Sequence, residues 1–146
     1  ETAAELQDAP IRFITEDAMR FVEREARRGR HYDGILLDPP KYGRGPKGER
    51  WRIESDLVPM MQACRGLLSE TPLFLLLTIY AIRASSQAAH FAMADIVAAL
   101  GGEVTSGELV IAEDPPVRTR TVKTQADEAI SPRVISQANF ARWTPF

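Results

Sequence analysis

At 146 residues, with a formal net charge of -2 and a pI near 5.7, the chain makes at most one domain and has no overall nucleic-acid footprint. Binding to RNA or DNA would have to rest on local clusters. A single cysteine, Cys64, excludes a disulfide scaffold and points to a reducing compartment. No signal-peptide pattern is read, and the apolar run from Leu73 to Ile82 falls well short of the roughly 20 residues that span a bilayer, so a cytoplasmic location is expected.

In chain order, Glu1 to Pro10 reads as the end of a helix and a loop, and the lack of a starting methionine hints that sequence precedes it. Ile11 to Ile14 is predicted as a short strand. Thr15 is the expected N-cap of a helix over Glu16 to Arg28, with Ala18, Phe21, Val22 and Ala26 as its buried stripe and Gly29 as its stop. Tyr32 to Leu37 forms the next strand. A helix follows over Asp56 to Leu68, with Leu57, Met61, Cys64, Leu67 and Leu68 inward and Pro59 held to its first turn. Pro72 opens an apolar strand through Leu77 that ends near Tyr80. Ser85 and Ser86 begin a helix to about Leu100, with Ala89, Met93, Ile96 and Leu100 inward, and Gly101-Gly102 ends it. Glu103 to Ala112 and roughly Ser136 to Trp143 read as the last two strands, and the polar, proline-rich Glu113 to Arg133 between them lies outside the core. Alternating strands and helices predict an α/β fold, a mostly parallel sheet with helices on both faces and an antiparallel pair at one edge.

The most informative stretch is Asp33-Gly34-Ile35-Leu36-Leu37-Asp38-Pro39-Pro40-Lys41-Tyr42-Gly43. Consecutive prolines can neither donate to a sheet ladder nor continue a helix, so the strand stops and Asp38 is left at its carboxyl end. In open α/β sheets ligands bind outside that edge, and acceptors there suit a ligand that presents amine hydrogens. The alternative is a proline turn in which Asp38 satisfies nearby backbone amides. The loop that follows, Lys41 to Arg52, carries Lys41, Arg44, Lys47, Arg50 and Arg52 against Glu49, with Tyr42, Trp51 and several glycines. Such a loop can hold a phosphodiester and stack a base, or simply be a solvated surface.

These motifs, with Ile14-Thr15-Glu16-Asp17-Ala18 and Leu76-Leu77-Thr78-Ile79-Tyr80, resemble the later motifs of class I S-adenosylmethionine-dependent methyltransferases. More narrowly, they resemble the bacterial branch that includes the large-subunit rRNA cytosine C5 methyltransferases. The resemblance implies a Rossmann-like sheet of order 3-2-1-4-5-7-6, present here in part as its third to seventh strands. It implies S-adenosylmethionine as cofactor, bound by Glu16, Asp17, Ala18 and Asp38. Asp17 would accept from the adenine amino group and Ala18 would offer a backbone contact. Asp38, Pro39 and Pro40 would form the catalytic motif between methyl donor and target base. Lys41, Tyr42, Arg44, Lys47, Tyr80 and Arg83 would line the side of an RNA substrate, rRNA in the branch named. Taken by itself, Asp17 reads as a first-turn carboxylate favoured by the helix dipole.

Two departures bear on what the chain does. No glycine cluster fits the cofactor-binding turn that follows the family's first strand, so residues 1–146 are expected to be the carboxyl-terminal part of one methyltransferase domain, inactive without the amino-terminal part. Cytosine C5 methylation needs a thiolate to attack C6, yet Thr78 to Arg83 contains no cysteine and Cys64 lies on an apolar helix face. An amine target needs no covalent intermediate, although Lys41 stands where amine methyltransferases carry an aromatic and Tyr42 comes one place later. His31 and His90 lie in no metal-ligand spacing. Arg118, Arg120 and Lys123 form a second cationic stretch that reads as solvated or as brushing an RNA backbone. The rival readings are a non-catalytic RNA-binding or scaffolding module, and a nucleotide-dependent oxidoreductase on the same architecture.

Overall fold

The computed structural model describes residues 9–45, 48–80, 82–112 and 134–146. The element order is α1 (Ala18–Arg27), β1 (Gly34–Leu37), β2 (Tyr42–Arg44), β3 (Arg50–Arg52), α2 (Ile53–Arg65), β4 (Phe74–Ile79), α3 (Ser86–Val97), β5 (Glu103–Ala112) and β6 (Val134–Thr144). The main sheet has order β1-β4-β6-β5. β1 runs parallel to β4, and β6 runs antiparallel to both β4 and β5. Three of the four strands therefore share one direction and β6 alone opposes them, which is the expected mixed sheet with an antiparallel edge pair. Its order is that expected of the fourth, fifth, seventh and sixth strands of a class I methyltransferase sheet.

Alternation along β4 fixes where the core lies. Leu75, Leu77 and Ile79 are buried, while Leu76 and Thr78 point to the less covered face. Register carries that pattern across the sheet, since Ile35 and Leu37 pair with Leu75 and Leu77, and Ala141 and Trp143 pair with the same two residues from the other side. Val22 of α1, Met60, Met61 and Cys64 of α2, and Ala89, Met93, Ile96 and Val97 of α3 close one cluster on this face. The expected arrangement, helices on both faces, is thus not found among the described residues. All three helices join the core from the same side, and Leu36 on the other face is 60% exposed.

Several boundaries differ from the sequence reading. Residues 11–14 form no strand, and Ile11, Phe13 and Ile14 are exposed. An extended segment has no ladder to join unless a neighbouring strand offers one. Asp17, not Thr15, caps α1: its side chain accepts from the backbone of Arg20 at 3.0 Å, so the helix begins at Ala18. Ala18 and Ala26 are exposed, and the buried positions of α1 are Val22 and Glu25. Helix α2 starts at Ile53, directly after β3, because the Asp56 carboxylate accepts the Arg52 backbone N–H at 2.7 Å. Pro59 consequently sits inside the helix, not in its first turn. The bond it forgoes is the one to the carbonyl of Ser55, and both Ser55 and Pro59 are exposed residues. Leu100 lies in a short 3-10 turn after α3 and is 45% exposed, not inward.

Gly102 marks the return into β5. Its φ of +89° is costly for any other residue, and a Cβ there would strike the Thr144 carbonyl and the Trp143 indole. That close approach lets the Trp143 Nε1–H donate to the Gly101 carbonyl at 2.7 Å while the ring stays buried.

Candidate active site

The carboxyl end of β1 is where the chemistry-bearing residues gather. The parallel register sets Leu37 beside Leu77, which brings the next residues, Asp38 and Thr78, together. The Thr78 hydroxyl donates to the Asp38 carboxylate, and it also lies 3.4 Å from the Leu37 carbonyl. Asp38 itself remains exposed, so a carboxylate oriented by a strand-borne hydroxyl faces solvent at the sheet's edge.

On the other side of the turn the chain forms a hairpin in place of the loop expected. β2 and β3 pair antiparallel, Tyr42 with Arg52, Gly43 with Trp51 and Arg44 with Arg50. The ends of the turn are tied by Gly45 N–H to Glu49 O at 3.0 Å and Gly48 N–H to Gly45 O at 3.1 Å, and Gly48 has the left-handed φ of +88° that favours glycine. Trp51 folds back over the proline turn. Its Nε1–H donates to the Pro40 carbonyl at 2.6 Å, and its Cβ would sit only 3.4 Å from a side chain at Gly43. Pro39 and Pro40 are thereby held between the sheet, through Asp38 and Thr78, and the hairpin, through Trp51. An open groove of about 880 Å³ runs beside the hairpin, lined by Tyr42, Arg44, Arg50, Trp51, Arg52 and Glu54 among others. Three arginines and two aromatic residues thus line it against one acidic residue. Lys41 places its ammonium 5.3 Å from the centre of the Tyr42 ring, and Tyr42 is 63% exposed.

Asp17 stands at the amino end of α1. Arg20, in the first turn of α1, pairs with Glu49 of the hairpin at 2.8 Å, so the amino end of the helix and the hairpin meet at one end of the sheet. Asp17 Oδ1 caps the helix, which leaves its second oxygen uncommitted by any cap. Glu16 pairs with Arg24 instead of facing the turn. Tyr80 follows β4 directly and is 40% exposed, and Arg83 is exposed in the same loop. The Asn139 amide donates to the Ala84 carbonyl at 3.0 Å, anchoring that loop to β6. Lys47, Arg118, Arg120 and Lys123 lie outside the described residues.

The two histidines have structural partners, His31 Nδ1 donating to the Leu68 carbonyl at 3.3 Å and His90 Nδ1 lying 3.4 Å from the Ser106 hydroxyl. Cys64 is fully buried in α2, and burial pushes its thiol from 9.0 up to about 11, which removes it as a source of thiolate near neutral pH. Thr78 and Asn139 are the residues that sequence reasoning did not assign. Neither carries a motif of its own; each becomes visible only once the strand register is known.

No family model matches the chain, and no curated protein does. Solved structures do. An S-adenosylmethionine-dependent methyltransferase from Agrobacterium tumefaciens shares 46% of its residues, with a TM-score of 0.82 over 97% of this chain and 42% of that one. A precorrin-8W decarboxylase from Methanobacterium thermoautotrophicum is 15% identical with a TM-score of 0.50, covering 97% of this chain and 60% of that one, a likeness of fold alone. The fold is that of the class I methyltransferases. The chain spans less than half the length of the Agrobacterium protein it matches.

Proposed function

We propose that the chain supplies the acceptor-side half of a methyltransferase centre that moves a methyl group from S-adenosylmethionine to an amine nitrogen of a base in RNA. The observation that carries this reading is the Asp38-Pro39-Pro40 turn, pinned by Thr78 and Trp51 beside a groove of arginines and aromatic rings. The donor set suits the cofactor: the Asp17 oxygen not used in the cap would accept from an adenine amino group, and Ala18, an exposed residue at the start of the helix, would offer its backbone to the same ring. When bound, the cofactor supplies an electrophilic methyl carbon on a sulfonium leaving group.

The residues of the chain then do the positioning. Asp38 and the Pro39 carbonyl would accept the hydrogens of the exocyclic amine and fix the direction of its lone pair toward the methyl group that the cofactor would supply. One amine proton leaves to Asp38 or solvent. Tyr42 would stack an extruded base, and Arg44, Arg50 and Arg52 would neutralise phosphates. Lys41 and Arg83 would add cationic contacts, and Tyr80, just past the carboxyl end of β4, a further aromatic surface. The amine is preferred to cytosine C5, because the one cysteine of this chain is buried and protonated. The likeness to the rRNA-modifying branch makes rRNA the substrate of choice, in the cytoplasm. No helix among the described residues is long and apolar enough to cross a membrane.

The glycine-rich cofactor turn belongs, on this reading, to sequence outside the chain. The outer edge of β1 has no partner strand among the described residues, and Leu36 beside it is uncovered, which is the surface such a segment would take up. The test is methyl transfer from tritiated S-adenosylmethionine to total RNA by the full protein. Asp38→Ala should abolish turnover while RNA binding persists. If that variant methylates RNA as the parent does, the turn is not the centre; if the parent binds RNA and transfers no methyl group, a binding module is the better reading.

A further inference from the structure

A second cationic surface lies at the other end of α1, and nothing in the site above uses it. Arg20, Arg24 and Arg27 recur at i, i+4 and i+7, with Arg28 one place on, so one helix face carries a line of guanidinium groups. Arg20 pairs with the hairpin through Glu49, while Arg24 is held by Glu16 and Glu25. Past the helix end, Gly29 at φ +62° turns the chain and sets Arg30 and His31 beside Arg28. There Arg12, Arg28, Arg30, His31 and Tyr32 ring an open bowl of about 670 Å³ with Glu25 at its base.

Glu25 offsets only part of the positive charge of this bowl. Its carboxylate accepts from the Tyr32 hydroxyl at 2.8 Å and from Arg28 at 3.2 Å, and the Tyr32 hydrogen bond, ahead of the neighbouring arginines, holds it below the usual carboxylate range. Arg12, Arg27 and Arg30 are exposed and make no ion pair among the described residues. Arg12 and Arg30 line the bowl without an ion pair, Arg28 there is paired with Glu25, and the exposed Arg27 lies one place before Arg28 on α1, so this end of the helix is a local cationic surface on a chain whose net charge is -2.

We infer that the RNA strand entering the hairpin groove continues along α1 and that its phosphodiester backbone docks on Arg12, Arg27 and Arg30 at the far end of the helix. This inference rests on the RNA reading above and adds to it a footprint and a minimum length. A ten-residue helix is about 15 Å long. With about 3.4 Å of rise per stacked nucleotide, the far bowl lies roughly four nucleotides beyond the groove. The helix axis, tied to the hairpin at Arg20, supplies the direction.

The test measures anisotropy of labelled single-stranded RNA on the full protein across a salt series, for the parent and for Arg12→Ala/Arg27→Ala/Arg30→Ala. Three lost phosphate contacts should weaken binding of a 20-nucleotide RNA by about tenfold or more and flatten the log K against log salt slope by roughly 2. RNAs reaching fewer than about four nucleotides past the target should bind parent and variant alike. All three side chains are exposed, so thermal melting should not move. Unchanged affinity and slope with the long RNA would overturn the inference and leave the bowl to an acidic protein partner. The separate variant Arg44→Ala/Arg50→Ala tells the two failures apart. If it loses RNA while the α1 variant does not, only the footprint is wrong; if the parent binds no RNA, the substrate reading itself fails.

Discussion

The Thr78 hydroxyl donates to the Asp38 carboxylate across the parallel pair of β1 and β4. A surface carboxylate normally samples several rotamers, and this bond selects one, so the acceptor is oriented before any substrate arrives. Hydrogen bonds to charged groups contribute about 1.5–3 kcal/mol. Thr78→Val keeps the shape and removes the donor, and should lower turnover by roughly 10- to 100-fold with little change in RNA affinity. Thr78→Ser should restore most of the loss. Equal turnover for parent and Thr78→Val, measured at saturating RNA and cofactor, would show that the carboxylate needs no such orientation.

How much of this arrangement was legible in the sequence depends on range. The stop of β1 at Asp38 followed from two prolines alone, and the β5–β6 pair followed from strand patterns with no helix between them. Sheet order could be expected only through the family resemblance. The hairpin was missed because the glycines that make its turn were read as signs of an open loop, although Tyr42 and Trp51 are good strand residues. Residues 11–14 were read as a strand on their local pattern, but a strand exists only through its partner, and none is present among the described residues. Thr78 and Asn139 stayed hidden because a register is a tertiary property: nothing local tells that residue 78 will lie beside residue 38.

Trp51 links the groove to the proline turn and gives an optical readout of both. Its indole lines the groove while Trp143 is 1% exposed, so a small neutral quencher such as acrylamide should reach the first ring and not the second. Adding single-stranded RNA should protect the quenchable fraction. Trp51→Phe removes the donor to the Pro40 carbonyl, and a net hydrogen bond contributes about 1 kcal/mol, so the hairpin amides should exchange about fivefold faster with solvent deuterium. Protection factors at Tyr42 and Arg44 equal to those of the parent would mean that the turn holds itself.

Cys64 offers the opposite kind of check, a group that should not matter to chemistry. Burial raises its thiol to about 11, so in the folded state iodoacetamide at pH 8 should label it only through unfolding. Cys64→Ala should leave turnover within about twofold and cost about 1 kcal/mol of stability through the lost packing of one sulfur. A rate collapse in this variant without a matching fall in Tm would return the thiol to the mechanism and reopen the C5 target.

The Glu25–Tyr32 pair predicts a pH dependence with a definite sign. The Tyr32 hydroxyl, then Arg28 and Arg24, hold the Glu25 carboxyl below its ordinary value of 4.5 in the folded chain. A carboxyl that is more acidic when folded contributes stability above the unfolded value and loses it as pH falls through the lower folded one. Tyr32→Phe removes the largest cause and brings the folded value back toward 4.5. Parent and variant should therefore differ most in Tm above about pH 4.5, and their curves should converge as the solution is made more acidic. At the alkaline end, burial and the neighbouring carboxylate raise the Tyr32 hydroxyl above 10.0. Its share of stability is complete below pH 10 and fades above it, a fade that the phenylalanine variant must lack. Parallel Tm curves from pH 3 to pH 11 would mean that this pair contributes packing alone.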